Sequence, residues 1–296
     1  MAPKRARLDT FGATVLVGIA GLLAFNQVVI VWVNEGLQPV FFAGLRSALA
    51  TGFVALWLWA RRRPARYTPG TAAAGVLIGI VFAAEFLCLF LALDLTAISR
   101  AVLIFYTMPV WLALMAHVWL PGERLTPIRT LGLVLAFAGT ATAILDRSHA
   151  GAGTASLTGD LCALGGALGW AGTAFLTKVT AMKRVGPEMQ LFWMVAVSAP
   201  VLLVASLFFG PLIRDLQPIH LVWLTFQASV VVAGGFIGWL WLLSVYPAAT
   251  VASFSFLTPV LSLGLGWLVL DEPLGPAIIV AAVLVAVGIV LINRRV

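Results

Sequence analysis

The chain has 296 residues, of which 62% are hydrophobic and only 10% are charged. This composition excludes a soluble globular protein, in which about half of the residues are apolar and about a quarter are charged. The net charge of +7 does not indicate nucleic-acid binding, because the basic residues lie in short loops and at the two ends and form no continuous stripe. We therefore expect an integral membrane protein whose partners are the lipid bilayer and a small molecule, with no nucleic acid.

Apolar runs of about 20 residues, the length that crosses the hydrocarbon core as a helix, recur along the chain. The sequence predicts ten transmembrane helices, at 11–33, 39–60, 71–93, 97–119, 126–145, 157–179, 188–209, 220–243, 248–270 and 274–292. Turn-forming residues such as Gly186 and Pro187 separate these runs, and short loops make neighbouring helices antiparallel. The first run follows a basic segment but is too long for a signal peptide, so we interpret it as an uncleaved helix.

The distribution of basic residues predicts the orientation. If the amino terminus is cytoplasmic, fourteen of the 18 Lys and Arg residues fall in cytoplasmic segments and three fall in outer loops. This asymmetry follows the positive-inside rule. We expect a multi-pass protein of the inner (plasma) membrane with both termini in the cytoplasm.

Two segments of the chain resemble each other, at residues 91–110 and 241–260. Each segment ends in Pro-Val within a hydrophobic run, and a shift of 150 residues pairs Pro109 with Pro259. The helix count is the same on both sides, so the matches predict an internal duplication.

The duplication sets the predicted domain organisation and fold class. The first repeat is 1–150 and the second is 151–296, with five transmembrane helices each. Because five is odd, the second repeat enters the membrane from the opposite side, and the repeats are inverted. We therefore predict an all-α membrane protein with ten transmembrane helices in two inverted repeats around a central cavity. After a one-residue slip Glu123 pairs with Glu272, and both lie at loop edges, where capping of a helix start is expected.

The repeated residues also carry a family resemblance. Residues 97–139, which include Thr107-Met108-Pro109, and residues 250–288, which include Asp271-Glu272-Pro273-Leu274, resemble the two EamA-type repeats of the drug/metabolite transporter superfamily. The acidic residue in the third span is similar to that of the YddG-like branch of amino-acid exporters. The resemblance implies a secondary transporter and implies export. One departure is that Met194 stands where the first repeat has Arg46.

Glu85 is the first candidate for a substrate-site residue. A carboxylate in mid-span costs about 3 kcal/mol or more unless it is paired, protonated or faces water, so Glu85 should face the interior. It lies roughly 12 Å from the outer end of its span at 1.5 Å per residue. Four further polar residues share this depth and predict a polar belt: Asn26, Gln27, Tyr106 and Gln227. The alternatives are a protonated Glu85 bonded to a neighbouring helix and amides that only fasten helices together.

Aromatic residues at the same level predict a pocket for an apolar or cationic group. Phe105, Tyr106, Trp170 and Trp239 would offer ring faces to such a group, with packing alone as the alternative. Arg46 is interpreted as lying too near the outer end of its helix to meet a substrate carboxylate. The glycines at 165, 169 and 172 are expected to let helices pack closely.

The paired prolines predict two hinges. Pro109 and Pro259 each remove a backbone donor within a span and free the carbonyls of Phe105 and Ser255, so Ser255 joins the predicted cavity. We expect these kinks to move during alternating access, with a static kink as the alternative.

The protein is expected to be a secondary transporter that exports a small organic metabolite. The leading substrate class is neutral or aromatic amino acids. We expect a monomer or weak homo-oligomer. We expect no cofactor or metal, since the three histidines are scattered singly and the sequence has no phosphate-binding Gly-rich loop. One alternative is a transporter of another drug-like or phosphorylated metabolite. The other is a membrane-embedded enzyme that uses Glu85, although no second carboxylate, His pair or nucleophile shares its depth.

Overall fold

The structure is a computed structural model that describes residues 9–60, 68–120, 125–145, 156–235, 238, 241–242, 245–246 and 257–293. Its helices are α1 (Thr10–Gly36), α2 (Pro39–Ala60), α3 (Ala72–Leu95), α4 (Ile98–Phe105), α5 (Met108–Trp119), α6 (Pro127–Leu145), α7 (Leu157–Val179), α8 (Pro187–Ala205), α9 (Pro218–Phe226), α10 (Leu257–Leu270) and α11 (Pro276–Asn293). A π-helix, Gln227–Gly234, continues α9. Helices make up the regular structure of the described residues, which confirms the predicted all-α class.

The helices have the length and composition of membrane spans. Among the described residues six segments are long and apolar enough to cross a bilayer, namely Thr10–Gly36, Pro39–Ala60, Ala72–Leu95, Ile98–Trp119, Pro127–Leu145 and Pro187–Phe208. Large apolar side chains such as Trp59, Val118 and Val283 are exposed on the outside of the bundle. A surface of this kind is stable in lipid and not in water. The protein is a multi-pass membrane protein.

The segment predicted as one helix at 97–119 is interrupted. Between α4 and α5 lie Tyr106 and Thr107, and both the N–H and the hydroxyl of Thr107 donate to the carbonyl of Ile104, at 3.1 and 2.6 Å. Pro109 is the second residue of α5, where a backbone N–H would have no partner within the helix. The prediction of a single kinked helix is therefore corrected to two short helices that meet inside the span.

Close contacts between helices place the site residues. A Cβ built on Gly169 of α7 would lie 2.8 Å from the Cα of Glu85 on α3, and one built on Gly165 would lie 3.0 Å from the Sγ of Cys88. Only residues without a side chain allow this approach, as predicted for these glycines. Between α2 and α8, Ser198 donates to the hydroxyl of Ser47 at 3.1 Å. The first crossing brings α3 and α7 together at Glu85, and the second joins α2 to α8.

One end of the bundle is closed by polar contacts, and we call it the Arg214 end after the residue that joins three segments. Arg214 donates to both carboxylate oxygens of Asp94, at 2.6 and 2.9 Å, and to the carbonyl of Asn34 at 2.9 Å. Hydrogen bonding to Asp94 raises the pKa of Arg214 above its ordinary value. Nearby, Arg100 forms a buried ion pair with Asp160 at 2.7 Å. The ends of α1 and α3, the start of α7 and the segment after α8 are thus held at this end.

Candidate functional site

Glu85 lies inside the bundle with one hydrogen-bond partner. Its side chain is 4% exposed, and the hydroxyl of Thr173 on α7 lies 3.3 Å from Glu85 Oε2. The same hydroxyl lies 3.0 Å from the carbonyl oxygen of Gly169, so its single proton serves one of the two acceptors at a time. The predicted interior position of Glu85 is correct. A threonine hydroxyl carries no charge, however, so this contact alone would not compensate an ionised carboxylate.

Three of the predicted aromatic residues form one cluster beside Glu85. The rings of Phe105 and Trp170 are stacked with centroids 5.1 Å apart, and Tyr106 meets Trp170 edge-on at 5.6 Å. Trp170 directly follows Gly169, the residue that packs against the backbone of Glu85. A Cβ built on Gly166 of α7 would lie 3.0 Å from a ring carbon of Phe105 and 3.5 Å from the carbonyl oxygen of Glu85, so the cluster borders the backbone of Glu85 and supplies a large apolar surface there.

The predicted amides are buried with unused polar atoms. Asn26 Oδ1, Gln27 Oε1 and both polar atoms of Gln227 are enclosed and have no hydrogen-bond partner among the described residues. Gln227, which is 0% exposed, begins the π-helix, an irregularity that is frequent at functional sites. The Tyr106 hydroxyl lies close to Gln27 and Thr258, although neither contact has good hydrogen-bond geometry. Within the described ranges these amide oxygens fasten no helices, so they are available to water or a ligand.

Sequence reasoning missed two hydroxyl groups on α10. Thr258 Oγ1 and Ser262 Oγ are buried and have no partner within the described part of the chain. They lie four residues apart, so they share one face of the helix. A search for small hydroxyl residues at helical spacing would have found them, but such residues are common in membrane helices and the signal is weak.

The remaining predicted site residues have mixed outcomes. Trp239 and Ser255 lie outside the described residues. Pro259 is the third residue of α10, and the segment before that helix also lies outside them, so the predicted second kink is not described. Among the described residues no three His, Cys, Asp or Glu side chains are grouped as metal ligands.

Arg46 is the most important residue that sequence reasoning set aside. Its side chain is 8% exposed, and its guanidinium carbon lies 4.3 Å from the ring centroid of Phe86 and 5.5 Å from that of Phe90. Arg46 and Glu85 interact electrostatically, yet no ion pair within 4.0 Å joins them. The expectation that Arg46 lies too near its helix end to meet a substrate carboxylate stays a prediction, although the side chain is buried beside Phe86. Arg46 is seven residues into α2, roughly 10 Å deep, and its long side chain covers the remaining distance.

The site as a whole combines one buried cation, one buried carboxylate, an aromatic cluster and amides with unused oxygens. Two opposite charges make its formal charge zero. A site of this composition suits a small polar solute with an apolar part, because a few placed polar groups give orientation and the rings give contact area.

Comparison with known proteins gives the family. Residues 10–145 and 157–294 each match the model of the EamA-like transporter family. The chain belongs to this family. The match confirms the resemblance to EamA-type repeats, and it makes the protein a membrane transporter and not an enzyme.

Individual relatives of this EamA-family protein support the same function without naming a substrate. It is 30% identical over 198 residues to the uncharacterized transporter YvbV of Bacillus subtilis (strain 168), a match that covers 65% of this chain and 62% of YvbV. It is 25% identical over 255 residues to the uncharacterized transporter YoaV of the same strain, with 86% of each chain covered. A solved crystal structure shares its fold, with a TM-score of 0.63 and 20% identity over 95% of this chain and 96% of that one.

Proposed function

We propose that the protein is a secondary transporter that exports neutral or aromatic amino acids by alternating access. The observation that carries this proposal is the position of Glu85 beside the Phe105–Trp170 stack. A carboxylate within a span marks a substrate or ion pathway. Here the backbone of the residue that carries it lies next to rings that suit an aromatic or aliphatic side chain.

Alternating access in this proposal depends on ten spans arranged as two inverted repeats, 1–150 and 151–296. Gly139 and Gly288, which pair at the same shift as Glu123 and Glu272, support this arrangement. A Cβ on Gly139 of α6 would lie 2.8 Å from the carbonyl oxygen of Ala281 on α11, and a Cβ on Gly288 of α11 would lie 2.5 Å from the carbonyl oxygen of Gly132 on α6. Each copy's glycine thus packs on the helix that carries the other, as a twofold relation between the repeats requires.

The proposal includes a location and an orientation. The protein acts in the inner membrane with both termini cytoplasmic, as a monomer or weak homo-oligomer, and the Arg214 end faces outward. The support is the excess of Lys and Arg in the segments at the opposite end.

Transport is tested with purified protein in liposomes. Vesicles loaded with unlabelled phenylalanine or leucine are diluted into radiolabelled amino acid, and counterflow is followed over time. We expect the label to accumulate transiently and to be recovered chemically unchanged, and we expect no accumulation in protein-free vesicles. Absence of accumulation for every neutral amino acid, while a phosphorylated sugar or a drug-like cation accumulates, contradicts the proposed substrate class.

A further inference from the structure

We propose that Arg46 binds the carboxylate of the transported solute while Glu85 faces its ammonium group, so that the substrates are zwitterionic α-amino acids. The proposal rests on the proposed transport function and adds a residue and a charge pattern to it. In this proposal Arg46 selects amines that also carry a carboxylate.

The first argument is the number of unused donors on Arg46. A guanidinium group has five N–H donors and no acceptor. Within the part of the chain that the structure describes, none of the five donates to an acceptor, and Nε is fully enclosed. A buried cation without hydrogen-bond acceptors is costly. It is retained where a ligand supplies the missing acceptors.

The second argument is how the Phe86 ring holds the guanidinium group. The group lies over the ring at 4.3 Å, which stabilises the cation through the ring face. A ring face offers no lone pair, so this contact supplies none of the acceptors that the N–H donors of the guanidinium need. The planar fork of these donors matches the two oxygens of a carboxylate.

The third argument is the charge of Glu85. It interacts electrostatically with Arg46 but forms no ion pair with it within 4.0 Å, so the two charges are neighbours without satisfying each other. A zwitterionic α-amino acid has both complementary charged groups attached to one carbon atom, so it adds no net charge to the site. A phosphate dianion would meet the repulsion of Glu85, and an amine without a carboxylate would leave Arg46 unpaired.

The internal repeat offers a suitable substitution. The position equivalent to Arg46 in the second repeat is Met194, an unbranched side chain that fills comparable space without charge. Arg46→Met therefore gives the first repeat the residue that the second repeat already has. Arg214→Gln is the matched control, since it removes one arginine from the Arg214 end and none from the site.

The experiment compares two probes that differ only in the carboxylate, namely phenylalanine and phenylalaninamide, in which a neutral amide replaces it. For the wild type and Arg214→Gln, binding to the purified protein is measured by competition with radiolabelled phenylalanine. For Arg46→Met, direct binding of each labelled probe is measured. We expect the first two proteins to bind phenylalanine about tenfold or more tightly than phenylalaninamide, because a charge-assisted carboxylate contact is lost in the amide. In Arg46→Met we expect that ratio to fall to about twofold or less, with phenylalaninamide still bound.

The outcomes are separable. If Arg46→Met binds phenylalanine as the wild type does, or loses phenylalanine and phenylalaninamide equally, Arg46 is structural and this inference fails while transport stands. If the wild type neither binds nor transports any neutral amino acid, the proposed function fails and the inference fails with it. If Arg46→Met does not fold, Arg46→Lys replaces it. That variant keeps the charge without the fork, and it should weaken phenylalanine binding while leaving phenylalaninamide unaffected; unchanged binding of both overturns the proposal.

Discussion

Glu272 caps a helix that belongs to the other half of the protein, since its Oε1 accepts the N–H of Ile98 at 2.6 Å. Its Oε2 accepts the N–H of Ser99 at 3.0 Å, so one carboxylate covers two free donors at the start of α4. The predicted capping role of Glu272 is confirmed, although sequence reasoning did not identify the helix. The carboxylate also lies at the positive end of the helix dipole, which strengthens both bonds.

We expect Glu272→Ala to lower the free energy of unfolding by about 1–2 kcal/mol, the usual loss when a helix cap is removed. The measurement is the thermal unfolding midpoint of the purified protein in detergent. Glu35→Ala is the matched control, because Glu35 is an exposed carboxylate at the same end of the bundle. Equal midpoints for the two variants would show that the cap contributes nothing to stability.

Gly169 is expected to be intolerant of even one added methyl group. The nearest atoms to a Cβ at this position are the Cα, Cβ and N of Glu85, at 2.8 to 3.1 Å, and backbone atoms cannot turn aside as a side-chain end can. Gly169→Ala should therefore separate α3 from α7 and destabilise the protein by about 1–3 kcal/mol. Gly52→Ala in α2 is the control, since nothing lies within 4 Å of its Cβ and alanine favours a helix. Unfolding midpoints of both variants decide the prediction, which is wrong if Gly169→Ala is as stable as Gly52→Ala.

The helices could be predicted from the sequence because two local signals agree along most of the chain. Apolar runs set the lengths of the helices, and Gly, Pro and charged residues set their ends, so α2 and α7 have the predicted bounds. The break at Tyr106 and Thr107 was not predictable from Pro109 alone. It depends on the Thr107 hydroxyl, which competes for the Ile104 carbonyl that a continuous helix would use.

The candidate site could be predicted only in part, since contacts between helices depend on how the helices are rotated and staggered. Depth counting placed Glu85, Tyr106 and Gln27 at one level, and all three are buried. It could not show that Thr173 would be the partner of Glu85. For Arg46 it measured the depth of the backbone and did not include the reach of the side chain.

The break beside Pro109 gives the hinge prediction a physical basis. Alanine at this position restores an N–H that can bond to the Phe105 carbonyl, so α4 and α5 can join into one helix. We expect Pro109→Ala to slow the maximal counterflow rate several-fold while phenylalanine binding changes little. Pro259→Ala at the equivalent position in α10 should act in the same way.

The control for the proline variants is Pro276→Ala, because Pro276 is the first residue of α11, where its missing N–H has no role. Rate and affinity are measured on the same preparations, by counterflow and by equilibrium binding. Unchanged turnover in both Pro109→Ala and Pro259→Ala means that the prolines shape a static structure and that alternating access bends elsewhere.

Glu85→Gln separates the charge of the carboxyl group from its shape and hydrogen bonding. The amide oxygen still accepts a hydrogen bond from Thr173, so the packing of α3 on α7 should survive and the protein should be recovered folded. We expect phenylalanine counterflow to fall by about tenfold or more, because the ammonium group loses a charged partner in a site shielded from water. If Glu85 also exchanges a proton during transport, the pH dependence of wild-type flux should disappear in the variant. Thr173→Val is the control, because it removes the hydroxyl and keeps the carboxylate, so its flux should still depend on pH, although the pH midpoint can shift when the hydrogen bond is lost. Wild-type flux of Glu85→Gln at every pH would remove Glu85 from the mechanism.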